Sequence, residues 1–442
     1  CTTEDWSPQF SFKFTKRFII IGGYFMNKTS TSNHLVINSK EEYILFQLGS
    51  TGEVTYTFFN QSNEPIKTLN LHKEGVIKYS VAIDDVDKIH LIALMRSGEL
   101  SYSFYEGNNW SNAVIAKFDF PSKIYDNIQV LVEENSFNII YSYANLINSK
   151  LWTIQHVTGS NENWNQYNVS RFVSDRRSNS FIVDKDSFNT IHLLYRSMEG
   201  DISQIYHMFF NSLTKKWITT PQKLTSSKTN KLFPYIFVDT RDNLHGLWLE
   251  NVDNSHILKY SRLSSRDDKK YQWHQIKLPY ISGCNNTPIM FEEKGILKII
   301  YSKSNSIGCI YSLDNGNTWV EEDVLNIDSS KVNFIKISNL VFKSGSTKIN
   351  DTYCSIDEQL NFYFLDNFNS SNIKYPSTKE KLVKPDKDIN NIEGINTIID
   401  HQKQIKDTLN KVLNSQNKTD EKVDQILEIL KSRKGSFFDK FF

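Results

Sequence analysis

The chain has 442 residues, 39% hydrophobic and 23% charged, enough for a core of ordinary size and two or three domains. Its 51 basic and 50 acidic residues leave a formal net charge of +1, which excludes a nucleic-acid protein working by bulk electrostatics. No apolar run approaches the ~18 residues of a transmembrane helix, and 13% aromatics with abundant Ile, Val and Thr are strand chemistry.

The chain opens on Cys1. Gly22-Gly23-Tyr24-Phe25-Met26 back-translates to a purine-rich ribosome-binding site at normal distance from a start codon. Residues 1–25 are therefore read as translated upstream DNA or a disordered segment, with the native start at Met26. The apolar run 18–21 is too short for a secretory signal, and no small-residue cleavage site follows. The expected location is cytoplasmic, or delivery without a cleavable signal peptide. Without Cys1, the cysteines are Cys284, Cys309 and Cys354, an odd number with no CxxC. That favours a reducing compartment and lacks the spacing of a zinc site. Lys outnumbers Arg by 41 to 10, which points to an AT-rich bacterial genome.

From residue 34 a pattern repeats along the chain. Trp110, Trp164, Trp217, Trp273 and Trp319 are spaced by 54, 53, 56 and 46 residues. Upstream of three of them stand Ile83-Asp84 with Ile89-His90-Leu91, Val183-Asp184 with Ile191-His192-Leu193, and Val238-Asp239 with Leu244-His245-Gly246. A further phrase recurs as Val54-Thr55-Tyr56-Thr57, Leu100-Ser101-Tyr102-Ser103, Leu258-Lys259-Tyr260-Ser261 and Cys309-Ile310-Tyr311-Ser312. Each unit reads as strand A, an Asp turn, strand B, a hairpin, strand C, a turn with Trp, and strand D. One four-stranded sheet cannot bury both its faces, but a ring of such sheets does. The expected fold class is all-β, a β-propeller over 34–368, followed by an α-helical coiled coil. Blades are placed at 34–75, 77–120, 124–173, 178–225, 230–280, 284–327 and 331–368. That makes seven blades, with six as the alternative, and the last lacks a closing Trp.

Ser312-Leu313-Asp314-Asn315-Gly316-Asn317-Thr318-Trp319 matches the Asp-box, Ser-x-Asp-x-Gly-x-Thr-Trp, at every fixed position. Residues 103–110 are a degraded copy with Tyr105 where the Asp belongs. In such a turn the carboxylate accepts backbone N–H groups, Gly takes a positive φ and Trp packs between strands. Ser312, Asp314, Gly316, Thr318 and Trp319 are thus read as structural. On these residues the chain resembles the sialidase-like (BNR, Asp-box) β-propeller family, with a coiled coil added. Sialidase activity in that family implies three arginines clamping a carboxylate, a Tyr–Glu nucleophile and an Asp acid. Here no Arg lies between Met26 and Arg96, and the Phe/Tyr-Arg-Ile-Pro motif of the first clamp arginine is missing. No motif assigns Arg96, Arg171, Arg176, Arg177, Arg196, Arg241, Arg262 or Arg266 to a clamp. The expectation is a non-catalytic ligand-binding propeller, with a glycoside hydrolase of unfamiliar specificity as the alternative. No catalytic residue is assigned.

His90, His192 and His245 recur at one strand-B position and are read as packing between neighbouring blades. Asp84, Asp184 and Asp239 are read as turn formers, and the repeated Trp residues as packing. No metal or cofactor is expected. Strand order places the D-to-A and B-to-C connections on one face, where sequence differs between blades. That face carries Arg96, Tyr143, Asp175, Arg176, Arg177, Arg196, Lys228, Glu250 and Lys303. The set is mixed with an excess of cations and suits a glycan or a protein loop.

Residues 369–388 are rich in Asn, Ser, Lys and Pro and read as a linker. A heptad register follows within 389–433. Ile395, Gln402, Leu409, Gln416, Val423 and Leu430 stand at a, and Ile398, Ile405, Val412, Thr419 and Ile426 at d. β-branched residues at d disfavour a parallel dimer, so a trimer or tetramer is expected. The tail 434–442 carries Phe437, Phe438, Phe441 and Phe442 beside cations. It is read as docking in a partner's groove or at a membrane interface. No nucleic-acid partner is expected.

Overall fold

The computed structural model describes residues 33–365, apart from 108, 134–135, 161–162, 176–180, 265–271, 329–330 and 340–346. Segment 1–25, the expected linker 369–388, the heptad segment 389–433 and the Phe-rich tail lie outside the described residues, as do Arg176, Arg177 and Arg266.

The first blade holds β1 (Asn33–Ile37), β2 (Tyr43–Leu48), β3 (Val54–Phe59) and β4 (Pro65–His72). The second holds β5 (Val76–Ile83), β6 (Ile89–Met95), β7 (Glu99–Glu106) and β8 (Asn109–Lys117). The third holds β9 (Lys123–Glu133), β10 (Ser136–Asn145), β11 (Leu151–Ser160) and β12 (Asn163–Val173). The fourth holds β13 (Phe181–Lys185), β14 (Ile191–Glu199) and β15 (Ile202–Asn211), with β16 (Lys216–Trp217) and β17 (Gln222–Lys223) sharing its outer edge. The fifth holds β18 (Lys231–Val238), β19 (Leu244–Val252), β20 (Ser255–Leu263) and β21 (Trp273–Ile276). The sixth holds β22 (Ile289–Glu293), β23 (Ile296–Lys303), β24 (Ser306–Ser312) and β25 (Val320–Asn326). Within each blade, strands adjacent in sequence pair antiparallel, from the first, inner strand A to the outer D. A meander of this kind puts A–B and C–D turns at one end, the lower, and B–C turns with D–A connections at the upper.

The inner strands follow one another around an axis. Val130 N–H on β9 donates to Ser80 Oγ on β5 at 3.1 Å, and Asn127 Nδ2 on β9 donates to Phe181 O on β13 at 2.9 Å. Val238 N–H on β18 donates to Asp184 Oδ2 on β13 at 2.6 Å, and Tyr235 OH donates to Met290 O on β22 at 3.3 Å. Both faces of strand B are covered by neighbouring blades, so β6, Ile-His-Leu-Ile-Ala-Leu-Met, is buried almost throughout instead of alternating. The outer strand β8 is exposed along most of its length. Apolar clusters accordingly lie between blades: Val36, Phe46, Tyr79 and Leu91 join the first two, and Ile140, Trp152, Leu193 and Met208 join the third and fourth. These ties make the architecture a β-propeller.

The expected seventh blade, 331–368, differs from the others. It contains β26 (Val332–Asn339), β27 (Thr347–Ile349), β28 (Asp351–Ile356) and β29 (Leu360–Phe362). Strands β26, β28 and β29 form a three-stranded meander, but not a separate sheet. β26 pairs in parallel with β1, Asn33 opposite Ile335 and Ile37 opposite Asn339, so the last unit and the first blade are one seven-stranded sheet. Inner strands all run the same way along the axis, so two that come close enough to bond must pair in parallel. β27 crosses to β22 and pairs antiparallel, and Tyr353 OH donates to Thr287 O at 2.6 Å, which closes the ring. In place of an outer strand, the unit leans on the β3–β4 turn. Leu360 N–H donates to Asn63 O at 2.9 Å, and Asn63 Nδ2 donates back to Leu360 O at 3.1 Å.

Candidate functional site

The upper end between the fourth and fifth blades gathers charge. Asp175 lies in the connection into the fourth blade, Arg196 in β14, Lys231 at the start of β18 and Glu250 in β19. Arg196 is buried. Its Nη1 and Nη2 donate to the two carboxylate oxygens of Asp175 at 2.5 and 2.8 Å, and its Nε donates to Lys231 O at 2.5 Å. The planar guanidinium fork suits such a bidentate contact. The Lys231 ammonium has no exposure. It donates to Ser227 O at 2.8 Å, to Ser227 Oγ at 2.7 Å and to Thr229 O. Glu250 completes this oxygen cage, 3.7 Å from Lys231 Nζ and 3.5 Å from Lys259 Nζ, and accepts the hydroxyls of Ser227 and Thr229. Burial opposes ionisation of Glu250, but those hydroxyls and the two ammonium groups outweigh it and hold the carboxyl below its usual range. Burial lowers the Lys231 ammonium against the pull of Glu250.

Of the nine ligand-face residues read from the sequence, Asp175, Arg196, Lys228 and Glu250 fall here. Lys228 is exposed on the loop whose oxygens hold Lys231. Arg96 is exposed just beyond β6 in the second blade. Tyr143 sits on β10 with Lys123 Nζ 4.8 Å from its ring centre, and Lys303 ends β23 with its Nζ 5.4 Å from the Tyr301 ring. These three stand at the same end of their own blades, away from the cluster. Arg176 and Arg177 lie outside the described residues. Sequence reasoning missed Lys231, Ser227 and Thr229. The strand opening gave no signal: β9 opens on Lys123 just as β18 opens on Lys231, and only the fold distinguishes them.

The repeated histidines do more than pack between blades. The His90 ring does meet Phe137 of the third blade edge-on at 5.0 Å, and each histidine also bonds within its own blade. His90 Nε2 is 3.0 Å from Asp84 Oδ2 and its Nδ1 2.8 Å from Tyr102 OH. His245 repeats this with Asp239 at 3.0 Å and Tyr260 at 2.7 Å. A neutral ring with its proton on Nε2 and Nδ1 accepting from the tyrosine satisfies both bonds. In the fourth blade the partner is Asp186, 3.4 Å from His192 Nε2, not Asp184. Asp186, like Asp84 and Asp239, accepts two backbone N–H groups of its turn. Asp184 instead accepts from the next blade. From His192 a relay continues to His207 at 3.2 Å and on to Trp273 Nε1 of the fifth blade, 3.3 Å from His207. Burial holds His90 and His207 below the ordinary imidazole range, which fits neutral rings. Trp217 likewise donates from the fourth blade to His156 of the third at 3.1 Å. In the sixth blade Lys298 and Glu293, 3.1 Å apart, replace the His–Asp pair. Among the described residues no group of three or more His, Cys, Asp or Glu could hold a metal ion.

The turn 312–319 joins β24 to β25. Asp314 Oδ1 accepts from Asn317 N–H at 3.1 Å, Thr318 N–H at 2.8 Å and Ser312 Oγ at 2.8 Å, while Oδ2 accepts from Thr318 Oγ1 at 2.7 Å. Gly316 has φ +87°, and a β-carbon there would overlap the Tyr260 hydroxyl. Trp319 Nε1 donates to Gly316 O at 3.2 Å, and its ring meets Tyr260 of the fifth blade edge-on at 5.3 Å. The turn holds the lower end of two blades together.

No family model matches this chain, and no curated protein matches it significantly. Among solved structures it is similar to the SapL1 lectin in complex with α-methyl fucoside, at 10% identity over 68% of this chain and 97% of that one, TM-score 0.40. It is also similar to the Aleuria aurantia lectin, a six-bladed β-propeller, at 11% identity over 68% and 96%, TM-score 0.40. The α-L-arabinofuranosidase Arb93A of Fusarium graminearum is similar at 11% identity over 74% and 98%, TM-score 0.41. Likenesses of this strength establish neither fold nor activity for the chain. Among the described residues no helix is long and apolar enough to cross a membrane.

Proposed function

We propose that the chain is a non-catalytic glycan-binding propeller whose ligand meets the upper end at the fourth and fifth blades. The observation that carries this reading is the convergence of Glu250 on the buried Lys231 ammonium and of Arg196, held by Asp175, on the Lys231 carbonyl, with exposed Lys228 on the loop whose oxygens hold that ammonium. Paired charges fixed on strand ends offer rigid donors and acceptors to sugar hydroxyls, with exposed Lys228 and half-buried Lys259 beside them. Cleavage would call for a carboxyl kept protonated as a general acid. Glu250 is held in the opposite sense, and among the described residues a carboxyl that burial does push up to about 6, Asp351, sits in the ring closure. The Asp-box turn supports kinship with the sialidase-like propellers as a scaffold, since its bonds serve the lower end. The heptads at 395–430 would then present several heads together, converting weak single-site binding into avidity.

A glycan array probed with the full chain, beside a panel of chromogenic glycosides, tests the reading. Binding to a glycan class without turnover, weakened by Lys228→Ala and Lys259→Ala, is the expected result. Turnover of any glycoside, or binding indifferent to both substitutions, overturns it.

A further inference from the structure

The B–C turns occupy equivalent places on the upper end, and their residues differ in kind. Those of the first, second, fourth, fifth and sixth blades include Ser50 and Thr51, Ser97 and Gly98, Gly200 and Asp201, Asp253 and Asn254, and Ser304 and Asn305. The third blade has a 3₁₀ turn, Leu146–Asn148, with Leu146 51% exposed and Ile147 102% exposed. Leu151 and Val173 face each other in the β11–β12 register and extend the patch at 38% and 37% exposure. Their neighbours Trp152 and Phe172, also paired, are buried, so the blade fills its interior without the outer four.

Cations fringe this tip. Lys150 and Arg171 are exposed, and Lys123, opposite Asn145 in the β9–β10 register, lies over Tyr143. The nearby acids are engaged: Asp175 by Arg196, and Asp119 by the Ser122 hydroxyl.

We propose that the third-blade tip docks on the surface of an anionic lipid bilayer. Leu146 and Ile147 enter the boundary between headgroups and acyl chains, while Lys123, Lys150 and Arg171 stay at headgroup level. Burying large apolar side chains supplies the depth, and long basic side chains keep their charge wet while meeting anionic headgroups. The half-buried Tyr143 behind the tip has the amphipathic form that suits this depth. A protein partner is the weaker fit, because a specific protein interface calls for more than about 1,000 Å² of well-packed surface. Four apolar side chains on a protruding end fall well short of that.

The full chain should co-sediment with vesicles of phosphatidylcholine and phosphatidylserine, more weakly at high salt, and hardly at all with phosphatidylcholine alone. Combining Leu146→Asn with Ile147→Asn should lower the partition coefficient about tenfold or more, and Lys150→Glu with Arg171→Glu should abolish the preference for phosphatidylserine. All four side chains are exposed, so an unchanged melting temperature confirms that folding is intact. Failure of the chain to bind the mixed vesicles overturns the proposal. So does wild-type binding by the Leu146/Ile147 variant, which would move any lipid affinity to another segment such as the Phe-rich tail.

Discussion

Ser187, in the A–B turn of the fourth blade, donates twice to Asp242 in the same turn of the fifth. Its N–H reaches Oδ1 at 2.9 Å and its hydroxyl reaches Oδ2 at 2.7 Å. The relation recurs. Ser39 donates its N–H to Asp87 of the second blade at 2.8 Å, and Thr240 donates its N–H and hydroxyl to Glu292 of the sixth, both at 2.8 Å. Asp87 and Asp242 hold φ of 65° and 61°, a conformation that Asp tolerates better than most residues. The lower rim is thus stitched turn to turn, independently of the apolar contacts between blades.

Asp242→Ala removes both acceptors and leaves a poorly suited residue at positive φ, and should cost roughly 1–2 kcal/mol. Ser187→Ala keeps the backbone donor and should cost less than about 1 kcal/mol. Urea unfolding of the single and double variants checks this. The double variant should be no worse than Asp242→Ala alone, and additive losses would show that the two residues act separately.

Asp314→Ala strands the amides of Asn317 and Thr318 and should lower stability by roughly 1–3 kcal/mol. Ligand binding at the upper end should survive, because the turn lies at the other end of the sixth blade. Lost binding with an unchanged melting temperature would contradict the assignment of the two ends.

Asp351 on β28 stands opposite Lys336 on β26, with no hydrogen-bond partner for its Oδ1. Burial pushes its carboxyl up to about 6, against the nearby Lys336 and the Tyr235 hydroxyl. A carboxyl raised in the folded state binds its proton more tightly there than when unfolded. Its contribution is therefore greatest below the unfolded value and is lost as pH rises through about 6. Asp351→Asn should be more stable than wild type at neutral pH by about 1–3 kcal/mol, with the gain fading towards about pH 4. Thermal melts across that range decide it, and a variant less stable at neutral pH would mean that the attraction of the nearby Lys336 charge outweighs burial.

His34 and His156 act in the opposite direction. Burial, aided by Lys336 and Lys215 respectively, holds both imidazoles down at about 3. Each gains a proton on unfolding at mildly acid pH, so stability should fall as pH drops below about 6.5. His156→Gln should flatten that slope in urea unfolding measured over a pH series. An unaltered slope would assign it to other groups.

The heptad register leads to a different measurement. The full chain should be a trimer or tetramer, and a chain ending at Leu365 a monomer. Light scattering distinguishes them, and a monomeric full chain would remove multivalency from the functional reading.

The second, fourth and fifth blades were legible because they repeat one local device, a turn acid followed six residues later by the strand-B histidine. The fourth blade was misread at this point because two acids, Asp184 and Asp186, precede His192. Matching the apolar-Asp pair picked the first, whereas counting back six residues from the histidine finds the second. The Trp spacing marked strand D, and the last unit, lacking that Trp, showed its strands but not their partners. Its pairing with β1 depends on the curvature of the whole ring, which no local pattern carries. Lys231 was missed for a related reason. Its oxygen cage comes from a loop, a neighbouring strand and its own turn, and only their convergence makes a buried ammonium tolerable.

The parallel pairing of β1 with β26 also sets how the ring would respond to force. The chain runs into β1 at Asn33 and out of β26 at Asn339, at opposite ends of the pair. A pull on residues 33 and 365 would first peel β29 and then β28, bond by bond, because each is folded back antiparallel. It would then load the β1–β26 bonds all at once, in shear. Single-molecule extension should show small early ruptures and one tall one before the second to sixth blades give way, so the joint that closes the circle is also its mechanical fuse.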